Sequence, residues 1–377
     1  MKITDLTVYP AKDWRPYLFV IIDTDAGHYG IGEAGLTGRE LAVAGALEHF
    51  KPLLIGQDPF RIEHLWQLLF RGGFFPAEGV VSAALSAVDI ALWDIKGKAL
   101  GVPVYELLGG RVRDYVACYT HVGGATVPEL VDACRRAVDD GWTYLRWALA
   151  NYPGELFEPR AAVDSALREF EAVRTAVGDE VELIFDIHTR LNQHDALRLC
   201  REVEAFRPYF IEDPLRAENP DSFKQLRPRT SVPLAAGEQF TSKWQFRELI
   251  EEEWIDFARP DLCLCGGLTE AKKIAGWCET HYIDIATHNP LGVVSGTACL
   301  HLNLSLPNFA VQELPHRPGQ SMPDAITGQP LWEAGNLRPL DKPGLGLEVD
   351  RDALARYTFE MTELPHLHRA DGSFTNW

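Results

Sequence analysis

Six short apolar runs in the second half of the chain recur at a nearly constant spacing, and this repeat constrains the fold more than any other feature. The runs are "VELIFD", "RPYFIED", "VPLAAGE", "DFARPD", "IDIATH" and "FAVQE". Each brings an ionisable residue to its end, and these residues follow one another at intervals of 26, 26, 23, 27 and 25: Asp186, Glu212, Glu238, Asp261, His288 and Glu313. Helical patterns fill the intervals, so each repeat is predicted to be one βα unit.

Two earlier runs, "YVACYT" and "YLRWAL", bring the number of predicted strands to eight. Eight is the number of strands in a TIM-like (β/α)8 barrel, where the C-terminal strand ends surround one mouth and form the active site. The sequence therefore predicts an α/β fold built on such a barrel. It also predicts that the six ionisable groups face one cavity.

The residues before this repeat have a different texture. "KITDLTVYP" and "YLFVIIDTDAGHYGIGEAG" alternate like antiparallel strands, and "VSAALSAVDIALWDIKGKALG" has helical spacing. We expect an N-terminal α+β domain over 1–115, a barrel over 116–330, and a C-terminal segment over 331–377. Its run "LGLEVD" reads as a short strand that returns to the N-terminal domain.

Composition excludes several classes of function. The formal net charge of -18 is spread along the chain, and such a field repels nucleic acid and anionic membranes. The odd number of cysteines, seven, and the lack of a C-x-x-C pair are typical of a reducing compartment. The N-terminus lacks the apolar run of a signal peptide. We expect a cytoplasmic protein with no nucleic-acid or membrane partner.

Three of the strand-end acids indicate a metal site. A single strand-end carboxylate is usually a helix cap or a solvated loop charge, but Asp186, Glu212 and Glu238 fall on three consecutive predicted strands. Converging carboxylates repel one another unless a cation joins them. A hard divalent ion with oxygen ligands relieves that repulsion, with Mg²⁺ the first candidate and Mn²⁺ the second. In "FDIH", alternation along a strand predicts that His188 faces the same way as Asp186.

These residues lie in motifs that resemble a known family. The motifs are "SAVDIALWDIKGKALGVPVYELLGG", "FDIHTR", "FIEDPL", "AAGEQF", "RPDLCLCGGLTEAKKIA", "ATHNPLG", "KPGLGLEVD" and the ending "LPHLHRADGSFTNW". Together they are similar to the enolase superfamily, in its mandelate racemase-like branch, closest to acid-sugar dehydratases of the galactonate and mannonate type. The resemblance implies that the N-terminal α+β domain caps the barrel and that the C-terminal segment completes it.

The resemblance also implies a role for each strand-end residue. Asp186, Glu212 and Glu238 would be the metal ligands, and Glu313 would be a hydrogen-bonding partner of the developing enediolate. His288 would be the base that removes the proton alpha to the carboxylate, oriented by Asp261. His188 would be the general acid for the departing beta hydroxyl. From the residues alone, His288 could merely pack, Asp261 could be a helix cap, and His188 could be a partner of the metal acids.

The second barrel strand departs from many relatives, which have two lysines there. Here "YLRWALANYPG" places Arg146 and then Ala148, and an arginine is a poor base. Arg146 is interpreted as a substrate contact or a cation for the metal acids, with a structural ion pair as the alternative. Tyr152 could join Arg146 as in the mannonate type, but the spacing looks too short for that pair.

Substrate specificity is expected in two loops of the N-terminal domain. "AKDWRPY" carries Trp14 and Arg15, and "FRGGFFPAEG" carries Arg71 and Phe75. This mixture suits a cover that closes over a polyol and excludes water. Each of these four residues is a candidate substrate contact, with a surface or core role as the alternative.

The resemblance and the residues together predict a magnesium-dependent dehydratase, a hydro-lyase, that converts an aldonate into its 2-keto-3-deoxy acid through a metal-stabilised enediolate. A racemase, epimerase or cycloisomerase of the same superfamily is the first alternative, because His188 could serve as a second base. A non-catalytic sugar-acid-binding homologue is the second. Because relatives commonly assemble, the resemblance implies a homo-oligomer.

Overall fold

The computed structural model describes residues 1–149 and 155–375, which form an N-terminal α+β domain and a parallel barrel. The N-terminal domain begins with a three-stranded antiparallel meander and continues with helices. Its strands are β1 (Ile3–Lys12), β2 (Pro16–Thr24) and β3 (Tyr29–Ala34), and its helices are α1 (Glu40–Leu54), α2 (Ile62–Arg71), α3 (Val80–Leu100) and α4 (Val104–Leu107).

Helix α3 packs on β3 at very short range, because β3 offers glycines on the facing side. A Cβ at Gly32 would lie 1.9 Å from the Ala87 carbonyl oxygen, and one at Gly30 would lie 2.0 Å from the Ala91 carbonyl oxygen. No side chain fits at such distances, so "YGIGEA" is the strand that can accept this helix. The close approach makes most of α3 buried.

Eight parallel strands form the closed barrel that the sequence repeat predicts. Each strand pairs with the next, and the last pairs with the first through Glu313 and Tyr119. The strands are β4 (Val116–His121), β5 (Tyr144–Ala148), β6 (Glu182–Asp186), β7 (Phe210–Glu212), β8 (Leu234–Ala236), β9 (Phe257–Ala258), β10 (Asp284–Thr287) and β11 (Phe309–Glu313). The connecting helices are α5 (Val127–Asp139), α6 (Pro159–Val177), α7 (Gln193–Val203), α8 (Phe223–Leu226), α9 (Lys243–Glu251), α10 (Gly267–Glu279) and α11 (Val293–Leu304).

The barrel is filled from inside and covered from outside by separate apolar clusters. The inner cluster plugs the barrel below its mouth and contains Tyr119, Ile184, Phe210, Ala235, Phe257, Ala286 and Val311. A larger cluster lies between the strands and the surrounding helices. The mouth therefore has a packed floor, as expected when alternate side chains of each strand point inward.

The C-terminal segment contacts both domains. It contains β13 (Leu331–Glu333), β14 (Asn336–Arg338), β15 (Glu348–Val349) and α12 (Arg351–Leu354), and β15 pairs antiparallel with β12 (Ile326–Thr327), which lies just before the segment. Strand β14 pairs antiparallel with β4 of the barrel, while Arg351 forms an ion pair with Asp23 of β2. The domain boundaries at 115 and 330 remain predictions. None of the described helices has the length and apolar character needed to cross a bilayer.

We predict that Gly32→Ala destabilises the protein, because its methyl group would collide with the Ala87 carbonyl oxygen and push α3 off the sheet. The free energy of unfolding should fall by about 1–3 kcal/mol, the usual range for overpacking. Gly45→Ala in α1 is the matched control, since nothing lies within 4 Å of its added Cβ. Urea denaturation measures both, and equal stability of the two variants would contradict the packing argument.

Candidate functional site

Three carboxylates from consecutive strands meet at the C-terminal mouth of the barrel. Asp186 ends β6, Glu212 ends β7, and Glu238 comes just after β8. One oxygen atom from each lies within 4.8 Å of the other two. The parallel register pairs Asp186 directly with Glu212, which places neighbouring carboxylates on the same side of the sheet.

Burial and mutual repulsion dominate the electrostatics of this cluster. Burial raises the pKa of Glu212 and of Glu238 well above the usual range, and nearby carboxylates add to the rise. Burial also acts to raise the pKa of Asp186, but His188 and Arg146 outweigh it and hold that pKa below its usual range. The three acids thus share a site that disfavours three bare anions.

The donor set suits a hard divalent cation. Both carboxylate oxygens of Glu212 and Oε2 of Glu238 are buried, and over residues 1–149 and 155–375 they accept no hydrogen bond. In the described part of the chain, Glu212 forms an ion pair with Arg259, and Glu238 forms one with His288 at 3.2 Å. Buried oxygens of this kind are the ligands that Mg²⁺ takes in proteins.

His288 is held beside this cluster by Asp261. Its Nδ1 atom lies 2.8 Å from Asp261 Oδ2, and the other oxygen of Asp261 accepts a hydrogen bond from the Cys263 amide at 2.7 Å. The Nε2 atom of His288 points toward Glu238 at 3.2 Å and Glu313 at 3.9 Å. Burial acts to lower the pKa of His288, but the Glu313 and Asp261 carboxylates outweigh it and raise that pKa.

His188 reaches Asp186 by a different route from the alternation that the sequence suggests. Strand β6 ends at Asp186, and His188 and Thr189 adopt left-handed backbone angles with φ of 52° and 57°. This turn brings His188 Nε2 to 2.7 Å from Asp186 Oδ2, while the His188 amide donates to Asp186 Oδ1 at 2.7 Å. Ile187 is fully buried in the outer core. Burial lowers the pKa of His188.

Arg146 forms an ion pair with one of the predicted metal acids. Its Nη2 atom contacts the Asp186 carboxylate and lies 2.9 Å from His188 Nε2. Arg146 is 8 % exposed, so its cation is held at the mouth of the barrel. Tyr152, the partner considered for Arg146, lies outside the described residues.

Arg259 is fully buried in the barrel and is a site residue that was not predicted from the sequence. Its guanidinium contacts Glu212 and donates to Glu313 Oε2 at 2.9 Å, to the Tyr119 hydroxyl at 2.7 Å and to the Ala286 carbonyl at 3.2 Å. It thereby connects one predicted metal ligand to the acid at the end of the last strand. Arg259 lies two residues before Asp261 in "FARPD", so the same alternation applied to Asp186 and His188 could have found it.

His121 is a second residue that the sequence analysis missed. It ends β4, the first barrel strand, and its Nε2 atom lies 2.7 Å from Glu313 Oε1. Glu313 also accepts hydrogen bonds from Arg259 and, at 2.8 Å, from the Asn289 amide. Burial acts to raise the pKa of Glu313, but His288, His121 and Arg259 outweigh it and hold that pKa well below the usual range.

The four candidate contacts of the N-terminal domain lie in different surroundings. Trp14 packs against His316, with ring centroids 4.1 Å apart and ring planes tilted by 51°. Arg15 donates to the Pro290 carbonyl and to the Thr37 hydroxyl. Two others lie on the α2–α3 side: Arg71 over the Trp244 ring at 5.8 Å, and Phe75, which is 78 % exposed. Their contact with a substrate remains a prediction.

Comparison with known proteins gives family matches over most of the chain. Residues 8–109 match the N-terminal domain of the mandelate racemase and muconate lactonizing enzyme family, and residues 129–353 match the enolase C-terminal domain-like family. A D-galactonate dehydratase family member from Streptomyces bingchenggensis is 39 % identical, with 100 % of this chain and 98 % of that protein covered. A D-mannonate dehydratase from a Sphingomonas species is 37 % identical, with both chains covered completely.

Solved structures of similar sequence have the same fold over the whole chain. An enolase from Pantoea ananatis with bound D-gluconate and magnesium superposes with a TM-score of 0.94 at 33 % identity, covering 100 % of this chain and 99 % of that one. An enolase from Agrobacterium radiobacter with bound sodium and L-malate gives a TM-score of 0.92 at 30 % identity, with both chains covered completely.

We predict that Arg259→Met destabilises the protein by about 3–5 kcal/mol, because it leaves Glu212 and Glu313 buried without their shared cation. The loss is measured by urea denaturation of the metal-free protein. Arg207→Met is the control, since its ion pair with Asp179 is exposed to solvent, and it should change stability by less than about 0.5 kcal/mol. Similar effects of the two substitutions would show that the buried bridge contributes little.

Proposed function

The chain belongs to the mandelate racemase and muconate lactonizing enzyme family of the enolase superfamily, and we propose that it is a magnesium-dependent acid-sugar dehydratase. Its substrate would be an aldonate, a hexonate or a pentonate, and its product the 2-keto-3-deoxy acid. One observation carries the proposal: His288 lies beside Glu238 and His188 lies beside Asp186, so a base and an acid flank one carboxylate cluster.

The metal would be held by Asp186, Glu212 and Glu238, whose oxygens lie close together and include buried atoms without hydrogen-bond donors in the described part of the chain. A divalent ion bound there would act as a Lewis acid toward the substrate carboxylate. The magnesium in the Pantoea ananatis structure supports this choice of ion. Mn²⁺ has the same ligand preferences and is the alternative.

His288 would remove the proton alpha to the carboxylate through Nε2. Its hydrogen bond to Asp261 places the proton on Nδ1, fixes the tautomer and leaves the lone pair of Nε2 directed at the cluster. Glu313 and its partner His121 would face the oxygens of the developing enediolate. Because Glu313 is held ionised and can only accept, His121 donates the hydrogen bond within this pair through Nε2.

His188 would complete the elimination as the general acid. The carbon–oxygen bond to the beta hydroxyl breaks, the electron pair leaves with the oxygen, and a proton from His188 converts it to water. The remaining enol then becomes the keto acid. Arg146 contacts both His188 and Asp186. Its positive charge would help to stabilise the negative charge that develops on the departing oxygen.

The names of the relatives support an acid-sugar substrate. They include D-galactonate and D-mannonate dehydratases, and D-gluconate is bound in the Pantoea ananatis structure. These sugars differ in stereochemistry, so they support the class of substrate rather than one member. A homo-oligomeric, cytoplasmic enzyme stays the expectation from the sequence.

We predict that the purified protein with Mg²⁺ converts at least one aldonate of a complete hexonate and pentonate panel into a 2-keto-3-deoxy acid. A colorimetric assay for 2-keto acids measures the product, and removal of the metal with a chelator should abolish its formation. Glu238→Gln should act in the same way as the chelator, because it removes one anionic ligand. Solvent deuterium that enters the alpha position without any keto acid would instead indicate racemisation or epimerisation.

We also predict that His288 and His188 act in two different steps of the reaction. His288→Asn should abolish both alpha-proton exchange and dehydration, whereas His188→Asn should lower dehydration by about 100-fold or more and leave exchange in place. Exchange is measured by NMR in deuterium oxide. His194→Asn is the control, since that histidine is 79 % exposed on α7. Unchanged turnover in His288→Asn would remove the proposed base.

A further inference from the structure

Two charged side chains of the N-terminal domain, Glu33 and Arg15, contact the segment that follows His288. This segment, 288–292, leads from β10 to the first residue of α11. Glu33 of β3 is fully buried. Its Oε1 accepts a hydrogen bond from the Gly292 amide at 2.7 Å, and its Oε2 accepts one from the Ser295 amide at 2.9 Å. One carboxylate of the N-terminal domain therefore binds both the segment and the first turn of α11.

Arg15 binds the same segment from the β1–β2 turn. Its guanidinium donates to the Pro290 carbonyl and, on the N-terminal domain side, to the Thr37 hydroxyl. Arg15 and Glu33 thus contact the chain two and four residues after His288. The positive charge of Arg15 also lies close enough to act on the pKa of Glu33.

The opposite side of the segment is held by the barrel. The Asn289 amide donates to Glu313 Oε2 at 2.8 Å, and the Asn289 side chain donates to the Glu313 carbonyl at 3.2 Å. The segment is therefore fixed between Glu313 of the barrel and Glu33 of the N-terminal domain. Because only four residues separate Gly292 from His288, a displacement of Gly292 is expected to displace His288 as well.

Gly292 shows how closely Glu33 approaches. A Cβ at this position would lie 2.7 Å from Glu33 Oε1 and 3.0 Å from Glu33 Oε2. Any side chain here would push the carboxylate away from the two amides. The contact has the geometry of an anion at a helix N-terminus, where exposed amides and the helix dipole stabilise negative charge.

We propose that Glu33 is a positioning residue for His288, acting with Arg15 to hold the segment 288–292 so that the imidazole faces the carboxylate cluster. The inference rests on the proposed role of His288 as the base. Glu33 does not touch the reacting atoms. It fixes the backbone that carries the base. The orientation of the N-terminal domain on the barrel therefore affects how well His288 is placed for proton transfer.

Glu33→Gln tests this proposal with little change of size. Burial raises the pKa of Glu33 to about 7, so the comparison is made in mildly alkaline buffer, where the carboxylate is ionised. A glutamine presents one acceptor and one donor to two amide donors, so one hydrogen bond is lost. We expect kcat to fall about 10- to 100-fold, the effect of a small misplacement of a catalytic group. The Mg²⁺ dissociation constant from calorimetry should stay within about twofold, since no metal ligand changes.

Asp94→Asn is the matched control. Asp94 is equally buried, and it accepts hydrogen bonds from the Ile31 amide at 3.0 Å, the Leu345 amide at 2.8 Å and the Lys98 ammonium at 2.8 Å, none of them in the segment 288–292. This variant should lose stability while kcat stays within about twofold of the wild type. An equal fall of kcat in both variants, or an unchanged kcat in Glu33→Gln, would overturn the proposal.

A readout that needs no turnover separates this proposal from the proposed function. The ring signals of His288 can be assigned in NMR spectra of histidine-labelled protein by their loss in His288→Asn. They should shift in Glu33→Gln and stay in place in Asp94→Asn. A shift in a protein that converts no aldonate would leave the positioning role standing and count only against the dehydratase. Unshifted signals would overturn the positioning role in either case.

If Glu33→Gln does not fold, Arg15→Gln is the variant that tests the proposal. It removes the bond to Pro290, and we expect kcat to fall about 3- to 10-fold with an unchanged KM, as the loss of one ordinary hydrogen bond suggests. A raised KM with unchanged kcat would mark Arg15 as a substrate contact and would contradict its part in positioning His288.

Discussion

The bridge of Glu212, Arg259 and Glu313 is the interaction on which the site depends. An isolated buried carboxylate is costly unless a cation and hydrogen bonds compensate it. Arg259 supplies that compensation from the centre of the barrel, where it is fully buried and contacts both acids. Arg146 does the same for Asp186 at the neighbouring strand end. The barrel can therefore bring several acids to one mouth and remain folded.

Arg259 and Arg146 neutralise only part of the negative charge of the carboxylate cluster. The remaining negative charge is suited to a bound metal cation. Within residues 1–149 and 155–375, Glu238 forms no ion pair with an arginine, and its ion-pair partner is His288 at 3.2 Å. Both oxygens of Glu212 still lack hydrogen-bond donors in the parts of the chain described. A divalent ion at the centre of the cluster would thus meet carboxylate oxygens that accept no hydrogen bond. Arg259 and Arg146 contact the cluster at Glu212 and Asp186. His288 lies beside Glu238 and His188 lies beside Asp186, so the proposed base and the proposed acid each contact a proposed metal ligand.

The sequence predicted the barrel and the meeting of Asp186, Glu212 and Glu238 at its mouth, because both follow from the regular spacing of the strands along the chain. It placed His188 beside Asp186 for a partly wrong reason, since a left-handed turn rather than strand alternation brings them together. Arg259 was overlooked because only the last residue of each of the six repeated runs was considered, whereas the five-donor guanidinium of an arginine is what a buried pair of acids requires. The surroundings of Arg15 and Phe75 depend on how two domains dock, and no spacing within either domain encodes that geometry.

Docking itself relies on directional polar contacts rather than on apolar area alone. Glu33 binds amides at the start of α11, Asp89 of α3 binds the Thr269 amide at 3.0 Å near the start of α10, and Ser82 donates to the carbonyls of Thr241 and Leu264. Apolar surfaces tolerate small sliding movements, whereas buried hydrogen bonds to charged groups lose their energy when donor and acceptor separate. Two buried acids at two helix starts therefore fix the N-terminal domain in one orientation. Because α10 follows Asp261 and α11 follows His288, that orientation is transmitted to the two residues that form the proposed base.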